Sequence, residues 1–173
     1  FSSGWFSEYF TIVWHAGEPT VLPPEYYRDA IEIIESLKPR NISLIHSFQT
    51  NAVRLSRDWV SLIKQFDIKI GVSIDGPAHL HDRFRKTRRG DGTHALTMKG
   101  IRLLKDNAIN FSAISVLTVE ALSHAEEIFS FFVDNGIEQI GFNVEEIVGA
   151  NKRSTLENVD VAVAYWKFMS TFW

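Results

Sequence analysis

Five short runs rich in β-branched and aromatic residues alternate with stretches of helical periodicity, and that alternation limits the chain to a few architectures. The runs are Phe10 to Trp14, Ile42 to Phe48, Ile68 to Ile74, Phe111 to Leu117 and Ile137 to Val144. Strands separated by helices of this length pair in parallel, because a parallel partner needs a long crossover. Each run also has two unlike faces, since residues at i and i+2 share a side. Ile70, Val72 and Ile74 oppose Gly71, Ser73 and Asp75, while Leu44 and Phe48 oppose Ser43, Ser47 and Gln49. The first run sets Ile12 and Trp14 against Thr11, Val13 and His15, and the last sets Ile140, Phe142 and Val144 against Gly141, Asn143 and Glu145. A sheet buried under helices on both sides reads as nearly continuous apolar strands. These strands instead predict an α/β partial barrel, with one face on outer helices and the other turning hydrophilic toward the strand ends, where such barrels keep their sites.

The helices are marked by their stripes and ends. Tyr27, Ala30, Ile31, Ile34 and Leu37 form one stripe, with Pro24 in the first turn. Trp59, Leu62, Ile63 and Phe66 follow a cap at Ser56, and Ala125, Ile128, Phe129 and Phe132 follow the capping-box pair Ser123 and Glu126. Asn135-Gly136 ends that helix. A helix over Thr93 to Asn107 carries Gly100, which is expected to approach the sheet closely. Val161, Ala164, Tyr165, Phe168 and Phe172 make a last stripe that reads as stopping in mid-helix. With Phe1 in first place and no secretory signal, the expectation is an internal piece of a longer protein. Residues 1–157 then form the central part of the barrel, and residues 158–173 a helix leading out of it.

A net charge of −3 gives no general pull toward nucleic acid, and no apolar run approaches the ~18 residues of a membrane span. The absence of cysteine from these residues excludes a disulfide, a thiolate nucleophile and a cysteine-held metal within them.

Chemistry-bearing residues gather at the strand ends. His15-Ala16-Gly17-Glu18-Pro19 follows the first run; a glycine there lets a ligand touch the main chain, although a tight strand-to-loop turn accounts for the segment too. The second run ends in Gln49-Thr50-Asn51, suited to a local turn or a ligand contact. The third ends in Ser73-Ile74-Asp75-Gly76-Pro77, followed by His81-Asp82 and Arg85. Ser73 and Asp75 point the same way, so a hydroxyl and a carboxylate would either bind a diol such as ribose or cap a loop.

In this order, these segments resemble the radical S-adenosylmethionine enzymes, specifically the peptide-modifying group with a SPASM domain. Trp14-His15-Ala16-Gly17-Glu18-Pro19 and Gly141-Phe142-Asn143-Val144-Glu145-Glu146 are similar to members that form cyclophane rings in ribosomal peptides. The resemblance implies an incomplete (β/α)6, TIM-like core. It implies main-chain groups at Ala16, Gly17 and Glu18 around the methionine ammonium of S-adenosylmethionine. Ser73 and Asp75 then face the ribose, Arg85 the carboxylate or the loop that closes on it, and main chain at Val144 and Glu145 the adenine. His15, Gln49 and Asn51 fall near the cofactor or the peptide, and no metal ligand is expected among these residues.

The resemblance further implies a 4Fe–4S cluster on cysteines outside these residues. Its reduction generates a 5′-deoxyadenosyl radical that takes a hydrogen from a peptide side chain, leading to a C–C crosslink. The isolated chain is then expected to be inactive. The implied partners are a ribosomally made precursor peptide and an electron donor such as flavodoxin or ferredoxin, with no nucleic acid and no membrane, in the cytoplasm. Two positions depart from the family pattern: Ala16 and Ala52 stand where it has glycine, which requires their backbone to avoid positive φ.

Other readings stay open. Arg83, Arg85, Lys86, Arg88 and Arg89 form a basic run that suits a solvated loop, a loop guiding cofactor or peptide, or a contact with nucleic acid, although no interleaved aromatic platform accompanies it. His15, Glu18, His46, His79, His81 and Asp75 are candidate ligands for a metal-dependent barrel hydrolase or lyase, with His79 and His81 read as capping a loop. A non-catalytic peptide-binding barrel would look the same.

Overall fold

The computed structural model describes residues 8–15, 17–145, 154–157 and 159–172. Its strands are β1 (Tyr9–Trp14), β2 (Ser43–Thr50), β3 (Lys69–Ser73), β4 (Phe111–Leu117) and β5 (Ile140–Val144), ordered β1-β2-β3-β4-β5 in one sheet. The helices are α1 (Pro24–Leu37), α2 (Arg57–Gln65), α3 (Ala78–Phe84), α4 (His94–Asp106), α5 (Val119–Leu122), α6 (Ala125–Asp134) and α7 (Val161–Met169), with a 3-10 turn at Pro19–Val21. The chain divides into two compact units, one of Phe1–Val72 with Leu96–Phe111 and one of Ser73–Ala95 with Ser112–Trp173.

In the first unit, parallel register aligns Trp14 with Phe48 and Phe48 with Ile70, so the apolar alternates of three strands stand in one row. Helix α1 begins at Pro24, and α2 begins behind Ser56, whose hydroxyl accepts from the Trp59 N–H. Both lay aromatic residues on that row. The Tyr27 ring meets Phe48 edge-on at 4.8 Å and Trp59 at 5.5 Å, all three buried. Burial of side chains of this size stabilises by about 1.5–3 kcal/mol each. The opposite row, Val13, Ser47 and Lys69, is half-buried to exposed. This two-facedness is what the alternation predicts.

Gly100 makes its close approach to the loop after β2 rather than to the sheet: a Cβ there would lie 2.2 Å from the Ala52 carbonyl oxygen. Ala52 departs from expectation, with φ at +59°. The strained residue is held by its neighbours: its N–H donates to Thr50 Oγ1 at 3.0 Å, and Asn51 Oδ1 accepts from the Val53 N–H at 3.0 Å.

In the second unit, β4 buries Ala113, Ser115 and Leu117 on one face, and Ile128 and Phe132 of α6 are fully buried. Phe142 of β5 packs between Phe132, Phe168 and Phe172, at ring distances of 6.3, 5.2 and 5.0 Å. Three expectations are corrected in this unit. His79 and His81 lie on a helix, α3, because Pro77 stands at its cap position and Leu80 is buried beneath it. Ser123 does not begin α6; it closes α5, its hydroxyl donating to the Glu120 carbonyl at 2.7 Å, and α6 starts behind His124 with no side-chain cap. Helix α7 ends at Met169 behind the Asp160 cap, leaving Phe172 beyond the helix but still within the ring cluster.

Candidate functional site

In the first unit, the turn after β1 is organised by one carboxylate. Glu18 Oε1 accepts from Thr20 N, Thr20 Oγ1 and Thr50 Oγ1 at 3.0, 2.6 and 2.5 Å, and Oε2 accepts from the Asn51 N–H at 2.8 Å. Its side chain is therefore spent on joining the end of β1 to the end of β2, and only its main chain is left for a ligand. Thr97 of α4 completes the clamp, donating to the Asn51 carbonyl at 3.0 Å. Gly17 holds φ at +112°, with nothing within 4 Å of where a Cβ would stand, so conformation rather than space calls for glycine. The Gln49 side chain lies over Gly71, filling the place of its missing side chain. His15 is exposed, and Ala16 lies outside the described residues.

The second unit holds an open cleft of about 940 Å³. Its polar end is Asp75, just past β3, in a two-point pair with Arg85: Nε donates to Oδ2 at 2.5 Å and Nη2 to Oδ1 at 2.9 Å. Oδ1 also accepts from the Val116 N–H at 2.9 Å, tying the pair to β4. Leu80 and Phe84 of α3 and Val116, Phe142 and Val144 of the strands add apolar wall; Thr118, Asn143 and Glu145 add polar groups. Ser73 is half-buried at the end of β3 and stands off the cleft lining. The Glu145 N–H donates to the Leu117 carbonyl at 3.0 Å, and its carboxylate Oε2 accepts from the Thr155 N–H and hydroxyl, each at 2.7 Å.

His81 lies beneath the Asp75–Arg85 pair, fully buried. The Asp75 N–H donates to its Nδ1 at 3.3 Å, so Nε2 carries the hydrogen and meets Thr93 Oγ1 at 3.1 Å. Thr93 passes the chain on to the Arg85 carbonyl at 2.9 Å. Burial pushes the His81 imidazole down to about 4; the Asp75 carboxylate opposes this, while Arg85 reinforces it. Asp82 accepts from the His94 N–H at 2.7 Å and occupies the space that Gly92 leaves without a side chain.

The basic run is divided. Arg83 pairs with Glu120 and Arg85 with Asp75, whereas Lys86, Arg88 and Arg89 are exposed around a turn closed by Thr87 and Asp91. The metal candidates are largely committed elsewhere: Glu18 to its clamp, His46 to Trp14 Nε1 and His81 to both its partners. Sequence reasoning missed the roles of four hydroxyls: Thr20 bonds the Glu18 carboxylate two residues away, while Thr50, Thr93 and Thr97 reach partners 32, 12 and 46 residues away, separations with no local periodic signal.

Residues 6–132 match the family model described as the radical SAM superfamily. The chain belongs to the radical SAM superfamily. It is 42% identical over 177 residues to an uncharacterized protein of Synechocystis sp., covering all of this chain and 44% of that protein. It is 29% identical over 166 residues to a serine-type anaerobic sulfatase-maturating enzyme of Bacteroides thetaiotaomicron, covering 92% of this chain and 40% of that enzyme. This radical SAM chain thus spans less than half the length of those relatives. Among solved structures it superposes on native anSMEcpe with bound AdoMet at a TM-score of 0.82 and 22% identity, over 96% of this chain and 46% of that one. It matches Streptococcus suis SuiB bound to the precursor peptide SuiA at a TM-score of 0.64 and 16% identity, over 95% and 35%. These likenesses show the fold: an incomplete barrel of parallel strands with outer helices.

Proposed function

We propose that this chain is the cofactor-holding core of a peptide-modifying radical SAM enzyme. The observation that carries the reading is the cleft of the second unit, an apolar-walled hollow of about 940 Å³ with one charged pair at its end. Its donor set fits S-adenosylmethionine. A carboxylate offers about four lone-pair sites, and Asp75 gives three of them to Arg85 and Val116, which leaves one for a ribose hydroxyl. Arg85 uses two of its N–H groups on Asp75 and keeps others for a ligand carboxylate. Val116 and Val144 flank the space for a flat base, beside the end of β5, the last strand in the sheet order. Ser73, at the end of β3, is proposed to act on the ribose side from outside the lining.

The iron–sulfur cluster does not fit these residues, because they include no cysteine. When bound, S-adenosylmethionine supplies the hydrogen-abstracting chemistry, while the chain orients it and keeps water from it. We take the substrate to be a ribosomally made precursor peptide and the product a C–C crosslink of the cyclophane kind, in a protein that also carries a SPASM domain. Solved neighbours with bound peptides support the peptide. Relatives named anaerobic sulfatase-maturating enzymes support a second reading, in which the peptide is a segment of a sulfatase.

Calorimetric titration with S-adenosylmethionine tests the core of this proposal. Saturable binding, weakened at least tenfold by Asn143→Trp at the exposed cleft wall, is expected; equal binding by the variant would refute it. Tandem mass spectrometry of the peptide treated with the cluster-bearing protein separates the two substrates. A bond between two side chains supports crosslinking, and a change confined to one residue supports sulfatase maturation.

A further inference from the structure

Outside the cleft, α3 and α6 bring three ligating side chains together. One ligand atom each from His79, on the first turn of α3, from His124, just before α6, and from Glu127, in its first turn, all lie within 4.8 Å of one another. His79 Nδ1 stands 3.6 Å from Glu127 Oε1, and the two imidazole rings are 5.7 Å apart at 65°. His124 Nδ1 meets the Glu120 carbonyl oxygen at 2.8 Å; an oxygen that only accepts requires the hydrogen on Nδ1, so Nε2 keeps its lone pair. A carbonyl holding the far nitrogen in this way is how metal-bound imidazoles are oriented and made more basic. The adjacent cation, Arg83, is already paired with Glu120, so neither that charge nor that carboxylate competes for an ion.

We propose that His79, His124 and Glu127 form a site for one divalent transition-metal ion of the zinc type, with water as the fourth ligand. Two imidazoles and one carboxylate select zinc over magnesium or calcium, which prefer all-oxygen shells. Metal bonds of about 2.0–2.2 Å require the three ligand atoms to draw closer than they now stand. His79 and Glu127 have the freedom to do so, their side chains being 51% and 48% exposed. The ion ties the start of α3 to the start of α6. Because α3 also carries Leu80 and Phe84 and leads into Arg85, the tie braces one wall of the cleft.

The test is zinc titration by calorimetry of the wild-type protein beside His79→Ala, His124→Ala and Glu127→Gln, read as differences so that metal held elsewhere cancels. One additional equivalent at micromolar affinity in the wild type, weakened about tenfold or more by each histidine variant, is expected. Indistinguishable titrations of wild type and variants overturn the site. Should a variant fail to fold, cobalt substitution of the wild type decides. Tetrahedral visible bands displaced by zinc support the site, and their absence overturns it.

Discussion

The Asp75 N–H donates to Nδ1 of the buried His81 ring, and this bond fixes an imidazole that must stay neutral for the cleft to keep its shape. Through Thr93 the same ring supports the Arg85 carbonyl, so both members of the charged pair rest on one uncharged histidine. Protonating it would turn an acceptor toward a donor in a dry site.

Stability should therefore depend on pH in a defined window. Folded His81 titrates near 4 against 6.5 when unfolded, so between these values the unfolded chain binds the extra proton. Stability is fully present above pH 6.5 and falls as pH drops toward 4, by about 3 kcal/mol from this group. Burial lowers His46 and His94 as well, which adds in the same direction. Urea midpoints across this range should show the fall, and His81→Leu should flatten most of it.

Asp75→Ala strands Arg85 and the Val116 N–H together and should cost about 3 kcal/mol, because Asp75 is only 6% exposed. Asp75→Asn retains an acceptor for Val116 and should cost about 1 kcal/mol less than the alanine variant. Chemical denaturation of both variants reads the difference; equal losses would mean that the bond to Val116 contributes nothing.

Much of this was legible in the sequence, for physical reasons that also mark the limits. Strand faces follow a period of two, so the row of Trp14, Phe48 and Ile70 could be read directly. Pro24 and Ser56 mark helix starts through their own backbone chemistry, and both stand where expected. Helix α3 was hidden because seven residues give too little periodicity. Ser123 and Glu126 have capping-box spacing, but Thr118 caps the preceding turn first and leaves Ser123 to close it. The role of the Glu18 side chain was beyond reach, since its partners Thr50 and Asn51 lie 32 and 33 residues away. The positive φ of Ala52 belongs to a turn that its neighbours Thr50 and Asn51 close, but the room for it comes from Gly100, which is distant in sequence.

That clamp gives a prediction of its own. Glu18→Gln keeps one oxygen to accept the three bonds made at Oε1 but sets an amide N–H₂ where Oε2 accepted from the Asn51 N–H, so donor faces donor there, and about 2 kcal/mol of stability should be lost. Hydrogen exchange should show the loss as faster exchange at Asn51 and Ala52.

Ala52→Gly should instead stabilise the protein by about 1 kcal/mol, because glycine adopts φ of +59° without a side-chain clash. Gly100→Ala, which sets a methyl group against the Ala52 carbonyl, should destabilise it severely. Thermal unfolding of the two variants should move the midpoint in opposite directions.

Amide hydrogen exchange with and without S-adenosylmethionine tests the central claim most directly, residue by residue along the cleft. Slower exchange at Val116, Thr118 and Asn143 to Glu145 on adding the cofactor is the predicted result. Unchanged exchange at these amides under saturating cofactor would contradict it.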